Sequence, residues 1–354
     1  MSSLKNLTKK QLFLPIFSMI LVMLINVIYD IACGNAPLSF FQIAIKNDVL
    51  YGRLIDVLNR GSEVAILAIG MTLVVSSSAG TDISVGSVMS LSGGFCCMLL
   101  AGYGVARANS YALPLWVGLL GGVLVACVCG LFNGFLVAYL NIQPMVATLI
   151  LWSAGRAIGL LLCNSQIVYV RVPSFQVFGS YVGILPTPIL IAAVCILIAA
   201  LVLRFTALGT FIQSVGINKK AARISGFNSS KIILITYVIC GFCAGIAGLT
   251  ATSRIYSADT NNIGLNMELD AILSVALGGN SLGGGKFNLA GSLIGAYTIQ
   301  AITTTMYALG ISSAQAPVFK AIVVILIVVL QAEPVKDYFK KMSARKAAKE
   351  AKAA

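Results

Sequence analysis

The 354-residue chain has no histidine and nine cysteines, so the residues with most chemical potential are thiols. Cys96, Cys97, Cys127, Cys129, Cys163, Cys195, Cys240 and Cys243 all fall inside apolar runs, and only Cys33 stands near the edge of one. Without paired CxxC clusters or imidazoles they read as small apolar packing residues, not as zinc ligands. A histidine-based proton relay has no members. The run Gly278-Gly279-Asn280-Ser281-Leu282-Gly283-Gly284-Gly285-Lys286 is as glycine-rich as a phosphate cradle. It lacks both the GxxxxGK[ST] spacing and the Lys-Ser/Thr pair, and reads instead as a tight cytoplasmic turn between helices. No P-loop occurs elsewhere, so the chain does not bind ATP in that manner.

The remaining candidates are polar groups stranded among apolar ones. Arg156 follows Pro144 and lies near Trp152 in an apolar run, with a carbonyl or an acid of a neighbouring helix as its expected partner. Holding the bundle together is favoured for it over lining a pathway. Asp82 and Ser84 sit at the turn between two runs, and Asn133, Gln143, Thr298 and Gln300 lie within or beside others. Asp82, Ser84, Asn133, Gln143, Arg156 and Gln300 form the candidate translocation set, with interhelical hydrogen bonding as the competing role for the amides. A proton-coupled carrier wants several acids or histidines along its path, and no acid is placed well inside a run.

The elements that hold these residues follow from composition. With 58% hydrophobic residues, 10% charged residues and a mean hydropathy of +0.95, the chain has too little polar surface for a water-soluble fold. Apolar runs at 12–32, 63–79, 83–104, 113–140, 146–163, 186–203, 231–252, 268–283, 288–309 and 317–331 give an all-α integral membrane protein of about ten transmembrane helices. One membrane domain over 1–331 and a basic tail over 332–354 account for the whole length. The first run follows Lys5, Lys9 and Lys10 as a secretory signal would, but it is long and lacks a small-residue cleavage pattern, so it reads as the first membrane helix.

In a ten-span arrangement the amino end, the connection 204–230, the Lys286 turn and the tail share one side. That side carries sixteen of the 24 Lys and Arg and four of the 11 acids. The excess makes it cytoplasmic and makes the overall charge of +13 a matter of topology, not of nucleic-acid binding. The tail, around Lys340-Lys341 and Arg345-Lys346, is a solvated end beside anionic lipid. On the other side, Asp48 to Glu63 alternates Leu54, Ile55, Val57 and Leu58 with Arg53, Asp56 and Arg60, which predicts an amphipathic helix along the outer interface.

Within 204–230, Asn218 is placed to cap a short helix from Lys219 to Ser225 stopped by Gly226. Ala221, Ala222 and Ile224 are expected to pack, with Lys220 and Arg223 exposed. A rigid knob there suits docking of an external motor, and an ordinary basic inside loop is the alternative.

Gly209 through Phe227 resembles the cytoplasmic signature loop of the permeases of simple-sugar ABC importers. Ala68-Ile69-Gly70-Met71-Thr72-Leu73 with Asp82-Ile83-Ser84-Val85-Gly86-Ser87 is similar to a second block of that family, and the stretch between carries one residue more than the usual pattern. Asn141-Ile142-Gln143-Pro144 and Glu268-Leu269-Asp270-Ala271-Ile272, with Gly278 to Gly285, resemble two more. Gln143-Pro144, Val215-Gly216-Ile217-Asn218 and Asp259-Thr260-Asn261-Asn262 look closest to the galactofuranose-type members.

The resemblance implies an ABC importer permease fold in the bacterial inner membrane, both chain ends cytoplasmic, importing sugar by alternating access. It implies three partners: a cytoplasmic ATPase with two nucleotide sites that uses the ATP, a second permease that is the same or a sister chain, and an extracytoplasmic sugar-binding protein. It implies no cofactor on this chain. The ATPase contact then falls on Gly209, Val215, Gly216, Asn218, Lys219, Lys220, Ala221, Ala222, Arg223, Ser225 and Gly226. A proton-coupled carrier, a passive channel and an ABC permease for nucleosides or branched-chain amino acids remain the alternatives.

Overall fold

The computed structural model describes residues 12–32, 36, 39–46, 49–312 and 315–331. The tail 332–354, the amino-terminal lysines and Cys33 lie outside the described residues. Each of the ten apolar runs contains a helix: α1 Phe13–Ala32, α2 Arg53–Ser78, α3 Val85–Ala101, α4 Leu115–Ala138, α5 Pro144–Leu162, α6 Thr187–Phe205, α9 Ser229–Ile255, α10 Met267–Leu277, α11 Leu289–Ala308 and α12 Ala316–Gln331. The connection 204–230 adds α7 Leu208–Ile217 and α8 Lys219–Ile224. Among the described residues six helices are long and apolar enough to cross a membrane (α1, α2, α4, α5, α6 and α9), while α3 and α10 are shorter. Strand structure is confined to short pieces, such as Arg107–Ala108, Val168–Val170 and Ser257–Ala258, which form a three-stranded clasp at one end of the bundle.

Helix α2 is the central post. Val64 to Val75 are buried side by side, and α9, α11, α6 and α10 pack around it. In a lipid solvent this packing must come from close approach and interhelical hydrogen bonds, because apolar side chains gain little by leaving lipid for protein. Both devices are present. Thr72 Oγ1 donates to Ser292 Oγ on α11 at 2.7 Å, and Ser77 and Thr236 on α9 share a bond of 2.8 Å. Helices α4 and α9 cross at Gly130 and Gly241, where a Cβ would overlap the Tyr237 and Ala126 carbonyl oxygens. The outer faces of α1, α4 and α6 carry large exposed apolar side chains such as Ile28, Leu124 and Leu197, as a lipid-facing surface should.

Two expectations need correction. Residues 53–63 do not lie along an interface but are the first turns of α2, with Gly61, Ser62 and Glu63 already buried. Arg53 ties this entry down by donating to Asp30 of α1 at 2.7 Å. Acids also occur inside the bundle: Asp30, Glu63, Asp82 and Glu268 are all buried. Glu63 pairs with Arg254 at 3.0 Å and Asp270 with Lys320 at 2.9 Å. Ion pairs for Asp30, Glu63 and Asp270, and hydrogen bonds from Ser84 to Asp82 and from Trp152 to Glu268, explain how they are tolerated, since an isolated charge at the centre of a membrane helix costs about 2.5–3.5 kcal/mol or more.

Candidate functional site

The connection between α6 and α9 folds as a helical hairpin. Asn218, with extended backbone, accepts hydrogen bonds on Oδ1 from the backbone N–H groups of Lys220 and Ala221, both at 3.0 Å. These satisfy two of the donors that a helix start leaves without intrahelical partners. At the other end Gly226 takes a left-handed φ of +88°, its N–H donating to the Arg223 carbonyl at 3.1 Å. The N–H of Phe227 reaches the Ala222 carbonyl at 3.0 Å, closing the helix. Phe227 then packs at a tilt against Phe211 of α7, ring centres 4.7 Å apart.

The result is a short, doubly capped knob. Ala222 is its buried anchor, and Gly209 and Val215 of α7 are buried beneath it. Lys219, Lys220, Arg223, Ser225 and Gly226 are exposed, as is Ala221. Ile224, expected to pack, is instead 88% exposed, because six helical residues present only one side to the bundle and Ala222 occupies it. A cleft of about 600 Å³ beside the knob is edged by Lys219, Lys220 and Arg223.

The knob is coupled to the central post by backbone. A Cβ at Gly216 would overlap the Ser76 carbonyl oxygen in the last turns of α2, and the N–H of Gly285 donates to that same oxygen at 3.0 Å. The glycine-rich turn, the end of α2 and the hairpin therefore meet at one carbonyl. Lys219 Nζ also donates to Asn141 Oδ1 at 2.9 Å, bringing in the turn before α5.

The candidate translocation residues do not gather in one place. Asp82, Ser84 and Asn133 do: Asp82 accepts from the Ser84 N–H at 2.9 Å and from Ser84 Oγ at 2.6 Å, and Asn133 Nδ2 donates to Ser84 Oγ at 2.8 Å. This network fixes the turn between α2 and α3. Upstream of it, α2 ends on Ala79 in a left-handed conformation, its N–H on the Val75 carbonyl. Arg156 reaches carbonyls, not an acid: those of Thr260 and Asn261 at 2.8 Å and of Ile263 at 3.1 Å, so it staples the loop before α10 to α5. Gln143 is exposed at the start of α5, at the end of the bundle that carries the knob. Thr298 returns its hydroxyl to the Ile294 carbonyl. Gln300 is buried in a different region, beside Glu63, Arg254, Asp270 and Lys320.

Those four ionisable residues were missed as site residues because runs were delimited by charge, which pushes Glu63 and Arg254 to the edges. Asp270 and Lys320 fall inside the runs 268–283 and 317–331, and opposite charges in neighbouring spans were the available signal. Among the described residues no group of His, Cys, Asp and Glu side chains is arranged to hold a metal ion.

A mostly helical, multi-pass membrane bundle, with a capped basic knob at one end and buried polar groups inside, has the architecture of a transport permease. The chain belongs to the family described as branched-chain amino acid transport system / permease component, whose model matches residues 53–330. It is 44% identical over 296 residues to the galactofuranose transporter permease protein YtfT of Escherichia coli K12, covering 83% of this chain and 84% of that one. It is 36% identical over 305 residues to the fructose import permease protein FruF of Bifidobacterium longum (85% and 83%). Against the ribose import permease protein RbsC of Escherichia coli K12 it is 34% identical over 282 residues (78% and 84%). No solved structure matches the chain.

Proposed function

We propose that this chain is the membrane permease of a bacterial ABC importer for a monosaccharide. The observation that carries the reading is similarity over more than three quarters of the chain to import permeases named for three different monosaccharides. The family's breadth leaves amino acids as a solute class, and the sugar names of these relatives favour carbohydrate.

In this reading the ten helices are ten spans, both chain ends are cytoplasmic, and the basic end of the bundle faces the cytoplasm. The α7–α8 hairpin is the contact for a cytoplasmic ATPase with two nucleotide sites, supported by its exposed cations and its 88%-exposed Ile224. An apolar side chain this exposed at the tip of a rigid element is the type of anchor that fills a partner's pocket. ATP-driven closure of the ATPase moves the hairpin, and the Gly216–Ser76–Gly285 junction passes that movement to α2 and to the turn between α10 and α11. A second permease, the same chain or a sister, and an external binding protein complete the assembly.

The test is uptake into proteoliposomes with D-galactose, D-fructose and D-ribose as probes. Uptake of at least one sugar that needs ATP, the ATPase and the binding protein together is the expected result. Uptake by the permease alone, driven by a pH gradient or by the sugar gradient, contradicts it.

A further inference from the structure

Away from the knob, a second polar cavity opens among the helices. It has a volume of about 400 Å³ and lies between α2, the end of α9, the loop before α10, and the helices α10, α11 and α12. Such a volume falls at the small end of the range of small-molecule sites, about 300–1,000 Å³. It sits toward the end of the bundle opposite the α8 knob, since it is bounded by the first turns of α2 and α12 and the last turn of α9.

Its walls carry two ion pairs from different helix pairs. Glu63 of α2 meets Arg254 of α9 at 3.0 Å, and Arg254 Nη2 also donates to the Asn59 carbonyl at 3.0 Å. Across the cavity Lys320 Nζ of α12 donates to both carboxylate oxygens of Asp270 of α10 at 2.9 Å. Each pair cancels its own charge while leaving lone pairs and N–H groups at fixed positions. That combination suits an uncharged ligand rich in hydroxyls, which can take up Glu63 Oε1 and Arg254 Nε, both without a hydrogen bond among the described residues, and brings no charge to compete with either ion pair.

Gln300 marks where such a ligand would bind. It is 92% buried by its 8% exposure, it lines this cavity, and its amide has no hydrogen-bond partner among the described residues. Facing the cavity without a protein partner, this amide is available to pair with a bound group. Its oxygen accepts and its nitrogen donates, the pairing that two vicinal hydroxyls of a sugar reciprocate. Tyr307, half-exposed about two turns further along the same face of α11, adds a ring against which the C–H face of a sugar can lie.

We propose that this cavity is a monosaccharide-holding site in the outer half of the permease. Gln300 is the specificity-bearing contact, and the Glu63–Arg254 and Asp270–Lys320 pairs form its polar walls. The proposal rests on the sugar-importer reading above and adds the place where the sugar is held. It also means that the chain itself contributes to sugar recognition, beyond what an external binding protein selects.

The experiment uses the complete reconstituted transporter with D-galactose, D-fructose and D-ribose. Wild-type uptake is measured first; if no sugar is taken up, the importer reading fails and takes this one with it. Given wild-type uptake, Gln300→Leu, which keeps approximate size but removes the amide, lowers the uptake rate at saturating binding protein on the order of tenfold, the scale of one or two lost hydrogen bonds. Gln300→Glu retains the acceptor and recovers part of the rate. In parallel, Thr303→Cys places a thiol on the cavity wall, and a membrane-impermeant thiol reagent labels it above the wild-type background. The transported sugar slows that labelling several-fold, and Gln300→Leu in the same chain abolishes the protection. Wild-type uptake by Gln300→Leu, a thiol at position 303 that does not react, or labelling that the transported sugar leaves unchanged would each overturn the site while the importer reading stands.

Discussion

Asn218 joins two helices that point in different directions, and its side chain is what permits the break. Its extended backbone ends α7, while Oδ1 caps α8 through two N–H groups. Replacing it with Ala removes both bonds and costs on the order of 1 kcal/mol of local stability, enough to fray six residues. Asn218→Ala is expected to reduce ATP-driven uptake several-fold with unchanged amounts of permease in the membrane, and Asn218→Asp to keep most of it. Equal uptake by Asn218→Ala and wild type shows that the rigidity of α8 is not needed. Ala222 is the less informative position for testing contact with an ATPase. It is buried against the bundle, so a charged residue there disrupts the hairpin before any partner meets it. Ile224 and Arg223, which face outward, separate docking from folding.

Helices in this bundle are held by small residues at crossings, and α4 against α9 is the most extensive pair. Gly241→Leu would drive a branched side chain into the Ala126 carbonyl and the Gly130 backbone. The expected outcome is a detergent-solubilised protein with a melting temperature several degrees lower and poorer recovery from the membrane, read by fluorescence-detected gel filtration at rising temperature. A melting temperature equal to wild type would mean that the crossing is looser than described.

The existence of these helices was legible because apolar runs are strong signals, and so was the α8 knob, since its Asn cap and Gly stop act within one turn of the chain. What was not legible depends on distance. Arg254 finds Glu63 across 191 positions and Lys320 finds Asp270 across 50, and no local pattern marks either partner. The segment 53–63 was misjudged for a related reason. Its charges alternate as on an interfacial helix, but Asp30 on another helix accepts from Arg53, and Glu63 pairs with the Arg254 guanidinium, so the segment can enter the bundle.

At the scale of the whole molecule, polar function is divided between the two ends. One end presents exposed cations and a capped knob, joined by backbone contacts to the central post α2. The other encloses a polar cavity whose walls include the first turns of that same post. A single buried helix therefore runs from the proposed sugar site to the proposed ATPase contact, and a movement imposed at Ser76 has a continuous packed route to Glu63. The buried acids among the described residues each have an ion pair or a hydrogen bond within this frame, which suits a path that passes a neutral solute more than one that carries protons.

The central claim is that the driving energy enters through α8 from a separate ATPase. It is tested most directly by comparing wild type with Ile224→Glu in one reconstituted assembly, measuring ATPase co-purification and ATP-driven sugar uptake together. The variant is predicted to fold and insert as wild type does, to lose most of its ATPase association, and to take up sugar at least tenfold more slowly. Full ATPase association and wild-type uptake by Ile224→Glu would contradict the account.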